Sequence, residues 1–481
     1  MTNTGVPNLD ESNDAKLDEL LNRINGIGNS TSSATAELPV SAETDQFTQV
    51  LTEQPECHLD DDGKFFPHET KSTKDLGISA AIVEELITKF LLACGEATIR
   101  GIADQVAVPF EVAEKIIAAM KHEQLLGYIG QAAMNDYVVK LTDAGRERAK
   151  RYNEFSTYFG AAPVPFEQYV HSVNAQTIDD QNPSEDDLKR AFSDLLIDPA
   201  MMRKLGPAVN SGKGMFLFGY PGNGKTSIAE RVTAAFGKYI WIPRAIMVDR
   251  DIIRVFDPMS HVEAPEEKSD GIIAATKFDK RWVKIERPTI VVGGELSMDH
   301  LEISYNESTG ISEAPVQMKS NCGTLVIDDF GRQRMSVDEL LNRWIVPLEK
   351  RYDFLNTSNG KKIQVPFDQL VIFSTNLEPK DLVDDAFLRR IPYKIEVPNP
   401  SIENFIKLFE IMCRIYKFEW KPELIKQLIE KHYLPVNRPL RNCHPRDLLL
   451  QVKNHCIYQR LPVELSEDAF DFAVENYFSI V

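Results

Sequence analysis

Gly219-Tyr220-Pro221-Gly222-Asn223-Gly224-Lys225-Thr226 is the stretch on which the reading of this chain turns. The eight residues fit the phosphate-binding loop pattern G-x-x-x-x-G-K-[ST] without a mismatch, and the context agrees. Met215-Phe216-Leu217-Phe218 is an apolar run of buried-strand type. Ser227-Ile228-Ala229-Glu230-Arg231-Val232 continues as a helix that ends near Gly237. Glycines let the backbone wrap a polyphosphate with its N–H groups inward, helped by the positive end of the following helix. In such a cradle Gly219, Pro221, Gly222, Asn223, Gly224 and Ser227 surround the phosphates. Lys225 reaches the β- and γ-phosphates, and the Thr226 hydroxyl ligates Mg²⁺. A glycine-rich turn with a stray lysine would need strand, loop and helix to align by chance. The pattern points to a bound nucleoside triphosphate.

A chain of 481 residues exceeds one ordinary core, so two or three domains are expected. Apolar residues at 43% and charged residues at 26% are those of a soluble globular protein. No apolar run approaches the length of a membrane span, and Met1 to Asp14 is acidic and polar, unlike a secretory signal. Cys57, Cys94, Cys322, Cys413, Cys443 and Cys456 are scattered without a C-x-x-C pair, which suits free thiols in a reducing cytoplasm. Cys443-His444 and His455-Cys456 sit on helical, partly apolar stretches and read as packing residues rather than zinc ligands.

The net charge of −18 is unevenly spread. Residues 1–74 carry fourteen Asp and Glu against five Lys and Arg, a balance of −9 that is half of the total. With few large apolar residues this segment cannot offset the entropy of ordering, so an acidic disordered tail is expected. Leu17, Leu20, Leu21 and Ile24 stand at helical spacing within it. From Leu76 the pattern changes. Val83, Leu86, Ile87, Phe90 and Leu91 make one helical face ending at Gly95; Thr98 to Val106 and Pro109 to His122 give two more helices. Leu125 to Ile129 and Tyr137 to Leu141 read as strands around a polar tip, and Asp143 to Arg151 returns to helix. Residues 75–155 resemble a winged-helix domain. Its presumed recognition helix carries Glu111 and Glu114, with Glu123 just beyond, against Lys115 and Lys121, too acidic a balance to neutralise phosphates. Protein docking is therefore favoured over DNA contact. Residues 156–183, opening with Ala161-Ala162-Pro163-Val164-Pro165, read as a linker, and Ser184 caps a helix through Leu196 with Glu185 and Asp186 in its first turn.

Three later segments complete the phosphate-loop chemistry. Thr324-Leu325-Val326-Ile327-Asp328-Asp329 is an apolar strand ending in two acids; Asp328 would hold Mg²⁺ and Asp329 would orient or deprotonate the attacking water. Val371-Ile372-Phe373-Ser374-Thr375-Asn376 is another strand, and it resembles the sensor-1 strand of AAA+ ATPases, with Asn376 placed to position that water. The segment Leu377 to Ile391 resembles the part of that family that carries arginine fingers, and Arg389 and Arg390 are the candidates. An arginine there reaches a neighbouring subunit's γ-phosphate. Asn442-Cys443-His444-Pro445-Arg446-Asp447 resembles sensor 2, with Arg446 contacting bound phosphates from a helical lid.

Residues from about 185 to 481 thus resemble an AAA+ ATPase, with five motifs in the family's order. The resemblance implies an α/β fold, a P-loop AAA+ doubly wound parallel sheet over 184–400 with a C-terminal helical lid over 401–481, here preceded by a winged-helix domain. It also implies ATP and Mg²⁺ as ligands and a homo-oligomeric ring, often a hexamer. Two departures stand out. Lys225 and Asp328 are 103 positions apart, and the elements such a sheet needs between them fill about half to two-thirds of that. The surplus, near 248–321, is expected as an insertion that forms a partner surface. No aromatic–apolar–Gly pore loop of the threading unfoldases is evident, so a MoxR-like remodelling or assembly role fits better. The leading expectation is an ATP-hydrolysing machine acting on protein partners. The alternatives are a DNA-associated regulator or loader and a nucleotide switch that barely hydrolyses, the last suggested by Asp329 standing where Glu is usual.

Overall fold

Five short apolar runs become one parallel sheet: β1 (Met215–Phe218), β2 (Thr289–Val292), β3 (Gly323–Ile327), β4 (Gln369–Thr375) and β5 (Tyr393–Glu396). Their spatial order is β2-β3-β4-β1-β5, and every neighbouring pair is parallel. These strands read as continuous apolar runs because both faces are covered, and side-chain alternation splits each run between two cores. Met215, Leu217, Val326, Leu370 and Ile372 pack on one side with helices Glu185–Ala191, Pro199–Asn210 and Lys225–Val232. Phe216, Leu325, Ile327, Val371 and Phe373 pack on the other with Leu340 and Trp344 of helix Val337–Lys350. The computed structural model describes residues 64–265 and 278–479. The fold is of the α/β class with a helical C-terminal region.

That region is a four-helix unit, Ile402–Tyr416, Pro422–His432, His444–Gln459 and Glu467–Phe478. Phe405, Phe409, Ile425, Leu448, Val452 and Phe470 form its core. Ser401 and Ser466 cap the first and last helices through their side chains.

Residues 80–155 form helices Ala80–Cys94, Ile99–Gln105, Phe110–His122 and Asp143–Phe155 around an antiparallel sheet. Leu126–Ala132 pairs with Asp136–Leu141, and Glu96–Thr98 adds a third strand beside the latter. That third strand is too short to show a period in the sequence.

Three boundaries differ from expectation. First, order begins before Leu76: Phe65 is 5% exposed and packs beside Trp282 with ring centroids 5.2 Å apart, while the Asp279 N–H donates to the Pro67 carbonyl. The remainder of the expected tail, with the spacing at Leu17 to Ile24, lies outside the described residues. Second, residues 156–183 are more than a linker. Val164–Pro165 is a strand paired with Ala245–Val248, and Phe166–Ala175 is a helix whose Tyr169 and Val173 are buried in a separate core. The prolines that suggested a linker sit just ahead of that helix, where a fixed φ suits a helix start.

Third, the surplus between the phosphate loop and Asp328 is not one insertion over 248–321, because β2 lies inside that range. The extra chain precedes and follows it. A mixed sheet runs Ser304–Asn306, Ile311–Glu313, Asp251–Arg254, Ala245–Val248 and Val164–Pro165, and Tyr239–Pro243 pairs separately with Trp282–Glu286. A hairpin, Tyr352–Asn356 with Lys362–Pro366, interrupts the chain before β4. Leu355, Ile363 and Val365 of that hairpin join Ile240, Ile246, Ile253 and Ile285 in one core, so the excursions make a single β-rich body. Among the described residues no helix is long and apolar enough to cross a membrane.

Candidate phosphate-loop site

In a parallel sheet, adjacent strands deliver their following loops to one edge. Here β3, β4 and β1 are neighbours, with Ile327 beside Phe373 and Phe218 beside Thr375. Three segments well separated in sequence therefore meet where the strands end. Gly219 has φ +137°, and a Cβ there would come 2.5 Å from the Val397 carbonyl oxygen, so only glycine lets the chain turn that closely past β5. Gly224, at φ +85°, starts the helix Lys225–Val232.

Lys225 is 7% exposed. Its Nζ donates to the Gly219 carbonyl at 3.0 Å, the Tyr220 carbonyl at 3.2 Å and Asn376 Oδ1 at 2.6 Å. Burial draws its ammonium below the usual lysine value, opposed by the carboxylates of Asp328 and Asp329. Thr226 Oγ1 donates to Asp328 Oδ2 at 2.8 Å, and Asn376 Nδ2 lies 3.3 Å from Asp329 Oδ1. Asp329 adopts φ +48°, a left-handed turn that sends the two consecutive acids to different partners. The sequence-chosen residues Lys225, Thr226, Asp328, Asp329 and Asn376 thus come together at one end of the sheet.

A cleft of about 480 Å³ opens over this cluster, within the size range of nucleotide-sized pockets. Pro221 to Ser227, Asp328, Asp329, Asn376 and Arg446 line it. Arg446 also bonds Asp447 at 2.8 Å, so it stands on the wall with its guanidinium partly engaged. Arg389 and Arg390 do not line the cleft of their own chain. They also differ from each other. Arg390 Nε donates to Glu349 at 2.7 Å, whereas the Arg389 side chain is exposed and has no hydrogen bond or ion pair among the described residues.

Sequence reasoning missed two parts of the wall. Leu195, Leu196 and Ile197 on one side and Leu408 and Met412 of the lid on the other give the cleft an apolar end. Leu408 and Met412 are four apart and look like any core stripe. The other part is Asn442 and Cys443, known from the sequence only as neighbours of Arg446; together with Arg441, which does not line the cleft, they bond the phosphate loop across about 220 positions.

The donor set fits a nucleoside triphosphate with Mg²⁺. A buried lysine and a glycine loop at a helix start suit polyphosphate, and a hydroxyl beside a carboxylate is the hard oxygen pair that Mg²⁺ takes. Among the described residues no group of three or more His, Cys, Asp or Glu is placed to hold another metal.

Comparison with known proteins adds local likenesses. A family model described as a domain of unknown function, DUF8689, matches residues 401–476, the helical C-terminal unit. A vesicle-fusing ATPase of Dictyostelium discoideum is 51% identical over 47 residues, which is 10% of this chain and 6% of that protein. The chain therefore matches only a small part of this curated relative's length. Among solved structures, NtrX from Brucella abortus is 14% identical with a TM-score of 0.38, covering 60% of this chain and 58% of that one. The Holliday junction branch migration motor RuvB of Thermotoga maritima is 12% identical with a TM-score of 0.32, covering 61% of this chain and 70% of that one.

Proposed function

We propose that this chain is an AAA+-type ATPase that works as an oligomer and uses hydrolysis to remodel or assemble protein partners. The observation that carries the reading is the bonded cluster of Lys225, Thr226, Asp328, Asp329 and Asn376 under a cleft of nucleotide size. In the proposed reaction the Asp329 carboxylate accepts a proton from the attacking water, and Asn376 holds that carboxylate and the water in line. Lys225 balances charge that grows on the phosphate oxygens as the β–γ bond breaks. Thr226 and Asp328 would hold the Mg²⁺ that neutralises the phosphates. Arg389, free and outside its own cleft, is the better candidate for completing a neighbour's site; Arg390 is held by Glu349.

For residues 80–155 we favour a winged helix used in protein docking. Two of its basic side chains are already engaged: Arg148 pairs with Glu84 and Glu123, and Lys121 lies 3.8 Å over the Tyr128 ring. The competing reading, DNA contact through this module, needs such cations free.

The test is phosphate release by purified full-length protein, with Asp329→Asn alongside. Turnover in the wild type that Asp329→Asn abolishes while still retaining ATP supports the reading. Absence of both binding and turnover in a folded wild type removes it.

A further inference from the structure

The phosphate loop touches the lid through its backbone. The Pro221 carbonyl accepts from Arg441 Nη1 at 3.1 Å, the Gly222 carbonyl from the Cys443 N–H at 2.9 Å, and the Asn223 carbonyl from Asn442 Nδ2 at 3.0 Å. These are three successive peptide units. In a planar trans peptide the carbonyl and the following N–H point in opposite directions. Fixing these carbonyls toward the lid therefore turns the N–H groups of Gly222, Asn223 and Gly224 the other way. None of the three N–H groups has a protein acceptor among the described residues, and all three residues line the cleft.

Asn223 adds a lock. Its side chain, 1% exposed, donates through Nδ2 to Asn399 Oδ1 at 2.8 Å and accepts at Oδ1 from the Asn442 N–H at 3.3 Å. Asn399 lies between β5 and the Ser401 that caps the first lid helix. The loop is thus bonded both to the segment joining β5 to the lid and to the residues just before the third lid helix. A Cβ on Gly222 would come 2.5 Å from Cys443 Sγ, so the lid seats against the loop with no room for a side chain.

We infer that Arg441, Asn442 and Asn223 are positioning residues that set the direction of the phosphate-binding N–H donors, so that anion affinity depends on the lid being seated. This deepens the nucleotide-binding reading and rests on it. The inference differs from a contact by Arg446 in that the lid acts through the loop's peptide planes and needs no side chain of its own on the phosphates.

The experiment compares wild type, Asn442→Ala, Asn442→Gln and Arg441→Met as full-length proteins. Arg441 is partly exposed, so its variant reports even where a buried change impairs folding. Hydrogen exchange of peptides covering residues 441–444, whose Asn442 and Cys443 N–H groups donate to the loop, is measured without nucleotide, and affinity is measured with two probes, ATPγS and inorganic tripolyphosphate. Losing one such hydrogen bond is expected to unseat the lid locally, to speed exchange of the Asn442 and Cys443 amides and to weaken both probes by up to about ten-fold. Peptides from residues 83–91 should be unchanged, and Asn442→Gln should restore part of the affinity. Unchanged exchange in both Asn442→Ala and Arg441→Met overturns the inference. Faster exchange with wild-type affinity for both probes also overturns it, because the contact would then be structural only. If wild type binds neither probe, the nucleotide reading fails, and the exchange rates still decide whether the lid orients the loop.

Discussion

Lys225 Nζ and Asn376 Oδ1 are 2.6 Å apart, which joins the phosphate loop to the end of β4. Asn376 in turn lies 3.3 Å from Asp329, so the cation proposed for the phosphates and the carboxylate proposed for the water share one intermediary. Displacing Lys225 toward a phosphate would leave Asn376 free to change partners. Under the proposed function, binding and water activation would be coupled through Asn376.

Lys225→Ala removes the one lysine of the cleft wall among the described residues. A buried charge-assisted contact is expected to be lost, so affinity for ATP should drop by at least about ten-fold and hydrolysis should vanish. Titration with a fluorescent nucleotide analogue checks the first and phosphate release the second. Wild-type turnover in a contaminant-free preparation would sink the site assignment.

Asp329→Asn keeps the shape of the side chain and the approach of Asn376 but removes the proposed base. ATP should bind near wild-type affinity and persist unhydrolysed, with turnover down by about 10² or more. Quenched-flow analysis of bound nucleotide reads this directly; persistent turnover would mean another group activates the water.

Arg389 and Arg390 should separate. Arg390→Ala breaks a partly exposed ion pair with Glu349 and is expected to cost about 1 kcal/mol or less of stability with turnover retained. Arg389→Ala should retain nucleotide and lose about 10³-fold in turnover. Mixing Arg389→Ala with Lys225→Ala subunits should restore part of the activity, because some interfaces then pair an intact loop with an intact arginine. No recovery despite demonstrated subunit exchange would assign Arg389 a role within its own chain.

His444 supplies a pH signature for the lid. Burial, reinforced by Arg441 and Arg438 and opposed by Asp447, lowers its pKa from 6.5 to about 4. Its Nδ1 lies 3.1 Å from the Tyr433 hydroxyl, within the aromatic core. The folded lid therefore binds fewer protons than the unfolded chain, so His444's contribution is full above pH 6.5 and is lost as pH falls toward 4. By about pH 5 that loss is about 2 kcal/mol. Thermal melts should shift down between about pH 7 and about pH 5, and the slope should flatten in His444→Gln. An unchanged slope would place the titration elsewhere.

Some of this molecule was legible because its chemistry is local. The phosphate loop lies within eight consecutive residues, and its glycines are required by backbone angles that any fold using the loop must adopt. Asp328 and Asn376 follow short apolar runs, and such runs between turns can be read as buried strands. The helical C-terminal region over 401–481 was expected from the resemblance carried by the ordered set of motifs. Phe166, Tyr169, Val170 and Val173 carry a helical period, but two prolines immediately before them masked it. β2 was lost for a related reason: a run of four residues ending in Gly293-Gly294 is too short to be told from the loops around it.

The sequence by itself determined that the chain carries a phosphate loop and an acidic pair at the end of an apolar run, because each rests on neighbours within a few residues. Only the tertiary structure decided that the extra chain is a β-rich body assembled from separate excursions, that Arg389 rather than Arg390 is free among the described residues, and that Arg441, Asn442 and Cys443 hold the phosphate loop. Those contacts join segments about 220 residues apart, and they run largely through backbone carbonyls that every residue type possesses. Such a bond leaves no mark on which amino acid is written at the acceptor, so no pattern in the chain could have announced it.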